Sequence, residues 1–490
     1  MSEKANLTPI VLQQHTINRL SSIAYKNIPV YKYISNICGV IADDEYYMHD
    51  KEYDPSIYKI ISEQKTVSLR KTTPAERIAL ILKDDPAPTD VLFVSLGLRK
   101  LINGALCHPV LDPYIDTLDD VDYRVIEEQL SDGSDGSATI HTHNISFFSQ
   151  SSLFSVYGVA DVDLKELCDF MDEHFFSIIN ADYHCQIPEY YRTCIIAKLY
   201  RILQEWQAYT MFYRDVLLTM RPKIICYAHG GSESIQFLYE EALTVHIPCY
   251  EIMHGISSTK TSLPSSCRSS DYLLSYSKID RIRSEEGRSI IPVGKPGMQY
   301  PIIPDKKPHG SYVLIGIISS SEQDILELAM ELSRLVSAPY AVAFKFHSGD
   351  VITDELLEHI HTVSPKLNLI SAKVDIHTFF SACDIVIAER STAALEALCY
   401  DTLKVIIYNG LDMVDHELVS DLLTNEELSV AETCDDILRG IYDYTPGRTY
   451  RPKGELYWMP DAETNFRNVI YSALQCSADT PTIMKPESPK

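Results

Sequence analysis

The sequence contains no run of 18 uninterrupted apolar residues, so no transmembrane helix is expected. Its first residues, M-S-E-K-A-N, lack a basic flank leading into an apolar stretch, so no secretory signal is expected there. Positive charge is scarce: 43 Lys and Arg stand against 68 Asp and Glu, a formal net charge of −25. That balance argues against a broad nucleic-acid-binding face while leaving room for a local basic cleft. The 12 cysteines form no C-x-x-C pair and no Cys/His set at zinc spacing. Cys226, Cys249, Cys383 and Cys399 lie in apolar context and read as reduced core thiols of a cytoplasmic protein.

What is present is ordinary globular composition, 45% hydrophobic and 23% charged, on a chain of 490 residues. That length predicts more than one domain. Residues 1–88 read as a polar, mainly helical extension dense in tyrosine, ending near the linker-like D-D-P-A-P at 84–88. From Val91 the pattern changes. Short apolar runs at 91–95, 123–126, 223–228, 248–253, 271–276 and 291–296 read as strands, and Asp163 to Met220 reads as long helices. A Pro- and Lys-rich stretch at 301–308 suits a linker. Strands at 312–317, 340–346, 368–370 and 385–387 then alternate with helices. Alternation of this kind predicts parallel, doubly wound sheets. The expected organisation is α/β: an N-terminal Rossmann-like domain (89–300), a C-terminal one (309–476), a cleft between them and a flexible tail (477–490).

The stretch Ile385–Ile407, I-V-I-A-E-R-S-T-A-A-L-E-A-L-C-Y-D-T-L-K-V-I-I, parses as strand, turn, helix, strand. Ser391 and Thr392 stand where an N-cap belongs. Such a turn offers backbone N–H groups to an anion. Glu396 follows Thr392 by four residues, on the same side of the helix. A phosphate site with a carboxylate one turn away can hold a nucleotide by its phosphates and ribose hydroxyls; the same residues also make an ordinary capped helix. His229, His254, His347 and Ser391 all fall at or just beyond predicted strand ends, where ligands of open α/β sheets bind.

Taken in order, H-G-I-S-S (254–258), D-Y-L-L-S-Y-S-K (271–278), V-G-K-P (293–296), K-F-H-S-G-D (345–350) and D-I-V-I-A-E-R-S-T-A-A-L-E-A (384–397) resemble the GT-B-fold glycosyltransferases of bacterial surface and capsular polysaccharide synthesis. That group takes in Kdo transferases, polysialyltransferase-like enzymes and CDP-glycerol polymerases. The resemblance covers roughly residues 90–475 and leaves the extension outside. It implies that His254 is a catalytic base or donor-phosphate contact, next to Gly255. It places Lys345 and His347 on the donor phosphates, with Ser348 where the motif carries proline. It assigns Ser391 and Thr392 to the phosphate and Glu396 to the ribose.

The reaction so implied moves a sugar from a nucleotide-sugar donor to a glycan or lipid-linked glycan acceptor, with inversion. It needs a proton acceptor and a stabilised leaving phosphate. His254 is the first choice of base and His229 the second. No cofactor is expected and no metal is required: D-V-D at 120–122 and at 161–163 read as solvated turns or helix starts. Asp112, Glu127 and Glu128 are carboxylates near strand ends in the first domain, with solvated or capping roles expected; Arg99 and Lys100 follow the first strand, where a charged loop facing water is expected rather than a hold on an acidic acceptor. The expected partners are donor and acceptor, not nucleic acid, with a peripheral place in a membrane biosynthetic complex on the cytoplasmic face. The alternatives are a CDP-alditol polymer phosphotransferase, a non-hydrolysing nucleotide-sugar 2-epimerase and a non-catalytic scaffold.

Overall fold

A computed structural model describes residues 10–38, 40–41, 72–97, 99–102, 105–129, 139–140, 144–184, 186–187, 189–228, 232–253, 268–276, 288–296, 312–318, 323–346, 352–372, 374–388, 392–400, 402–408, 429–446, 448 and 459–478. Two parallel sheets organise it. The first contains β1 (Val91–Ser95), β2 (Tyr123–Glu128), β3 (Ile145–Phe148), β4 (Ile224–Ala228), β5 (Cys249–Ile252), β6 (Tyr272–Ser275) and β7 (Ser289–Pro292), in the order β3-β2-β1-β4-β5-β6-β7. The second contains β8 (Val313–Ile318), β9 (Tyr340–Lys345), β10 (Asn368–Ile370), β11 (Ile385–Ala388), β12 (Lys404–Tyr408) and β13 (Ser429–Ala431), in the order β10-β9-β8-β11-β12-β13. Every pairing in both sheets is parallel. Each sheet therefore reverses direction once, between β1 and β4 and between β8 and β11. These are the two switch points at which such sheets take ligands. The expectation of two Rossmann-like domains holds.

The sequence explains the sheets directly. β1, β4 and β11 are buried along their whole length, because helices cover both faces of a parallel sheet. Gly316 in β8 is required by packing. A Cβ there would lie 2.5 Å from Cys383 Sγ and 2.7 Å from the Phe379 ring.

Helices α1 (Gln14–Ser21), α2 (Val30–Cys38) and α3 (Pro74–Leu82) are the described helices of the N-terminal segment. They pack in one core with β1 and β4, α4 (Gln150–Tyr157) and the helical run α5 (Leu164–Phe170) and α6 (Ser177–Tyr183). That core also takes in α7 (Glu189–Met220) and α8 (Glu233–Thr244). α7 has 32 residues, a rod of about 48 Å. Partly buried ion pairs tie the segment down: Lys32 meets Glu240 at 3.0 Å, and Arg77 meets Asp215 at 2.6 Å.

The second sheet carries α9 (Gln323–Leu335), α10 (Asp354–Val363), α11 (Ile376–Ala382), α12 (Thr392–Ala397) and α13 (Cys434–Tyr442). The last helix, α14 (Ala462–Ala478), returns to the first domain. The Phe466 ring lies 4.8 Å from that of Tyr114, and Arg467 Nε donates to the Thr117 carbonyl at 2.8 Å. Phe466, Ile470 and Ala473 share one buried cluster with Val91, Ile252, Ala388 and Leu398, so apolar packing runs unbroken from one sheet to the other. Among the described residues no helix is long and apolar enough to cross a membrane. The expected linker at 301–308 lies outside the described residues.

Candidate functional site

Register fixes the carboxyl edge of the second sheet. Ile318 pairs with Lys345 on one side and with Ala388 on the other. The three residues stand in a row at the switch point, each about 4.8 Å from the next. Lys345 is buried, and its ammonium donates to the carbonyls of Phe346 at 3.4 Å and Ala372 at 3.5 Å. Just beyond Ala388, α12 begins at Thr392 and carries Glu396, also buried. Lys345, Thr392 and Glu396 thus share one edge. α12 has only six residues, so its aligned peptide dipoles are few and an anion here depends chiefly on side chains. His347 and Ser391 lie outside the described residues, as do His229, His254 and Gly255. The chain order still sets His229 directly after β4, and His254 two residues after β5.

Glu396 does not stand alone. Its Oε1 accepts from the ammonium of Lys295, which belongs to the first domain. The Lys295 side chain is 27% exposed and that of Glu396 8%. Lys295 also lies over the Tyr276 ring, 5.9 Å from its centroid. Burial, together with the nearby Glu396 charge, pushes the Tyr276 phenol well above its usual range and keeps it neutral. The frame behind Lys295 is stiff. Val293 and Gly294 both donate to the Ser275 carbonyl, at 2.8 and 3.1 Å. The Gly294 carbonyl accepts from Tyr114 Oη. Gly294 itself has φ +89°, a conformation that side chains disfavour. V-G-K-P is therefore a rigid stub, and it delivers one ammonium to the carboxylate of the opposite domain.

The first domain corrects the expectation of solvated carboxylates and a charged loop facing water. β2 ends in Glu127 and Glu128, which point to opposite faces of a sheet covered on both. Each is no more than 3% exposed. Glu127 accepts from Arg99 Nε at 2.9 and 3.0 Å and from Ser95 Oγ at 2.9 Å. Arg99 Nη1 reaches Asp112 at 3.0 Å, and Asp112 also accepts from the His108 backbone N–H at 2.8 Å. Burial raises the Glu127 carboxyl above its ordinary range, and Arg99 opposes the rise.

On the other face, Glu128 accepts from Tyr209 Oη, which also accepts from Gln150 Nε2 at 3.1 Å. Burial raises Glu128 too. Beside it on α7, burial and the charges of Glu128 and Glu233 push Glu205 up to about 7, against the pull of Arg201. Lys198 pairs with Glu233 at 2.8 Å. Sequence reasoning did not find this second cluster. Its one visible signal was two acidic residues closing a strand buried on both sides.

The D-V-D triplets behave as expected where they bear on structure. Asp163 caps α5 by accepting from the N–H groups of Lys165 and Glu166. The Asp122 carbonyl accepts from the N–H groups of Asp90 and Val91, both at 3.0 Å. Among the described residues no cluster of three or more His, Cys, Asp or Glu is placed to hold a metal ion.

No protein-family model matches the chain, and no curated protein matches it in sequence. Among solved structures it is similar to the apo lipopolysaccharide outer core galactosyltransferase WaaB, at 11% identity and TM-score 0.45, covering 78% of this chain and 99% of that one. It is similar to Acinetobacter baumannii MurG at 10% identity and TM-score 0.46, covering 79% and 100%. A UDP-N-acetylglucosamine 2-epimerase is similar at 10% identity and TM-score 0.46, covering 82% and 100%. These likenesses carry neither fold nor activity, and the fold rests here on strand order.

Proposed function

We propose that this protein is a GT-B glycosyltransferase that moves a sugar from a nucleotide-sugar donor to a cell-surface glycan or lipid-linked glycan acceptor, with inversion and without a metal. The observation that carries this reading is that a buried ammonium, Lys345, and a buried carboxylate, Glu396, belong to the same edge of the second sheet at its switch point, one ending β9 and the other on the helix that follows β11. A nucleotide has the complementary pair of groups: an anionic phosphate for the lysine and a ribose diol for the carboxylate. Lys345, His347, Ser391 and Thr392 hold the phosphates, Glu396 holds the ribose, and Gly255 leaves room beside the donor. The leaving phosphate is then neutralised by side chains. The acceptor enters from the first domain, where His254 takes the proton from its hydroxyl, with His229 as the second choice. The protein works on the cytoplasmic face of the membrane as a peripheral member of a biosynthetic assembly.

Mass spectrometry after incubation with nucleotide sugars and glycan acceptors tests this reading. The expected products are free nucleotide and an acceptor heavier by one sugar. An acceptor that gains an alditol phosphate supports the phosphotransferase instead, and a donor epimerised without acceptor supports the epimerase.

A further inference from the structure

Glu396 is the one predicted ribose ligand whose side chain is described, and a lysine of the opposite domain already covers it. A ribose diol is neutral. If it displaced Lys295 by itself, it would leave an ammonium without its anion in a half-buried place, beside a neutral phenol. Losing a partner there is costly. A nucleotide solves the problem that a nucleoside does not, since it brings the diol and a new anion together.

We propose that Lys295 is a donor-site residue carried by the first domain: when a nucleotide binds, its ribose takes Glu396 and the Lys295 ammonium passes from Glu396 to a phosphate of the same molecule. This rests on the reading of Glu396 as the ribose carboxylate. The stub behind Lys295 makes the exchange specific. Gly294 is held by Ser275 and Tyr114 and packed against Met459, so the backbone stays in place and only the side chain swings. The first domain would then register whether the second domain holds a phosphorylated ligand. Lys295 thereby helps to discriminate nucleotides from nucleosides, and its contact links donor binding to the relation between the domains.

The test is isothermal titration of CMP, CDP, UDP and GDP, and of the nucleosides cytidine, uridine and guanosine, into wild type, Lys295→Met, Lys295→Arg and Glu396→Ala. Circular dichroism confirms that each variant is folded. For the nucleotide that binds wild type best, its preference over its nucleoside should narrow by about tenfold or more in Lys295→Met. Part of that change should come from tighter nucleoside binding, because the competitor for Glu396 is gone. Lys295→Arg keeps the charge and should stay near wild type, and Glu396→Ala should weaken both ligands. A preference unchanged in Lys295→Met, with both ligands weakened in Glu396→Ala, overturns the exchange and leaves the ribose reading standing. Unchanged affinities in folded Glu396→Ala overturn the ribose reading, and the exchange with it. Failure of wild type to bind any of these ligands overturns both.

Discussion

The carbonyl oxygen of Met459 lies 2.4 Å from the point where a side chain on Gly294 would begin. Gly294 lies two residues beyond β7, the last strand of the first sheet, and Met459 leads into α14, the helix that returns from the second domain. Their contact is where chain entry and chain return lock together. Gly294→Ala should therefore cost at least about 2 kcal/mol, from left-handed backbone strain and the clash with a backbone atom. Chemical denaturation checks this. A midpoint unchanged from wild type would show that the stub is softer than described.

The Arg99 cluster gives a second stability prediction. Arg99→Met leaves Glu127 and Asp112 buried without their shared guanidinium, which should cost about 3–5 kcal/mol. Removing an exposed partner, as in Lys26→Met opposite Glu166, should leave the midpoint almost unchanged. Similar midpoints for the two variants would contradict a structural role for the Arg99 cluster.

Glu205 predicts a pH dependence. Its carboxyl is raised from the ordinary 4.5 to about 7, chiefly by burial. Between those values the unfolded chain releases a proton that the folded chain keeps. Its contribution is thus complete below about 4.5 and falls away as pH rises to about 7, by roughly 3 kcal/mol. Glu205→Gln has no such proton to lose. It should flatten the pH dependence of denaturation in that window and be more stable than wild type at pH 8. Parallel curves for the two proteins would show that Glu205 does not titrate there.

The proposed division of labour between domains predicts different losses for two histidines. His254→Ala should lower turnover by roughly two to four orders of magnitude with donor affinity nearly normal. His347→Ala should weaken donor binding and turnover together. Near wild-type turnover in His254→Ala would move the base to His229 or to a first-domain carboxylate.

Much of the fold was legible because buried parallel strands are short, continuous apolar runs. V-L-F-V-S at 91–95 and N-L-I at 368–370 are strands with the bounds expected of them. Of the strands in the two large sheets, the two missed, β3 and β13, sit at sheet edges. There I-S-F-F alternates in burial, and S-V-A is too short to stand out. Glu396 was singled out by its position one turn into a helix that follows a strand, whereas Lys345 was singled out only by the resemblance. The partnership of Lys295 with Glu396 could not be found from sequence, because the two are 101 residues apart and meet only through the packing of two domains. Glu127, Arg99 and Asp112 were misjudged for a related reason: charged residues near strand ends usually face water, and only the tertiary fold shows that these are covered.

The most direct test of the nucleotide site is a thermal-shift screen of wild type and Glu396→Ala against CMP, CDP, UDP, GDP and dTDP. A ligand that binds only the folded state raises the melting midpoint by mass action. At least one nucleotide should raise the wild-type midpoint, and that shift should shrink or vanish in a folded Glu396→Ala, which loses hydrogen bonds to a charged acceptor worth about 1–3 kcal/mol. No shift with any of the five, or a full shift retained in the variant, would contradict a nucleotide site at Glu396.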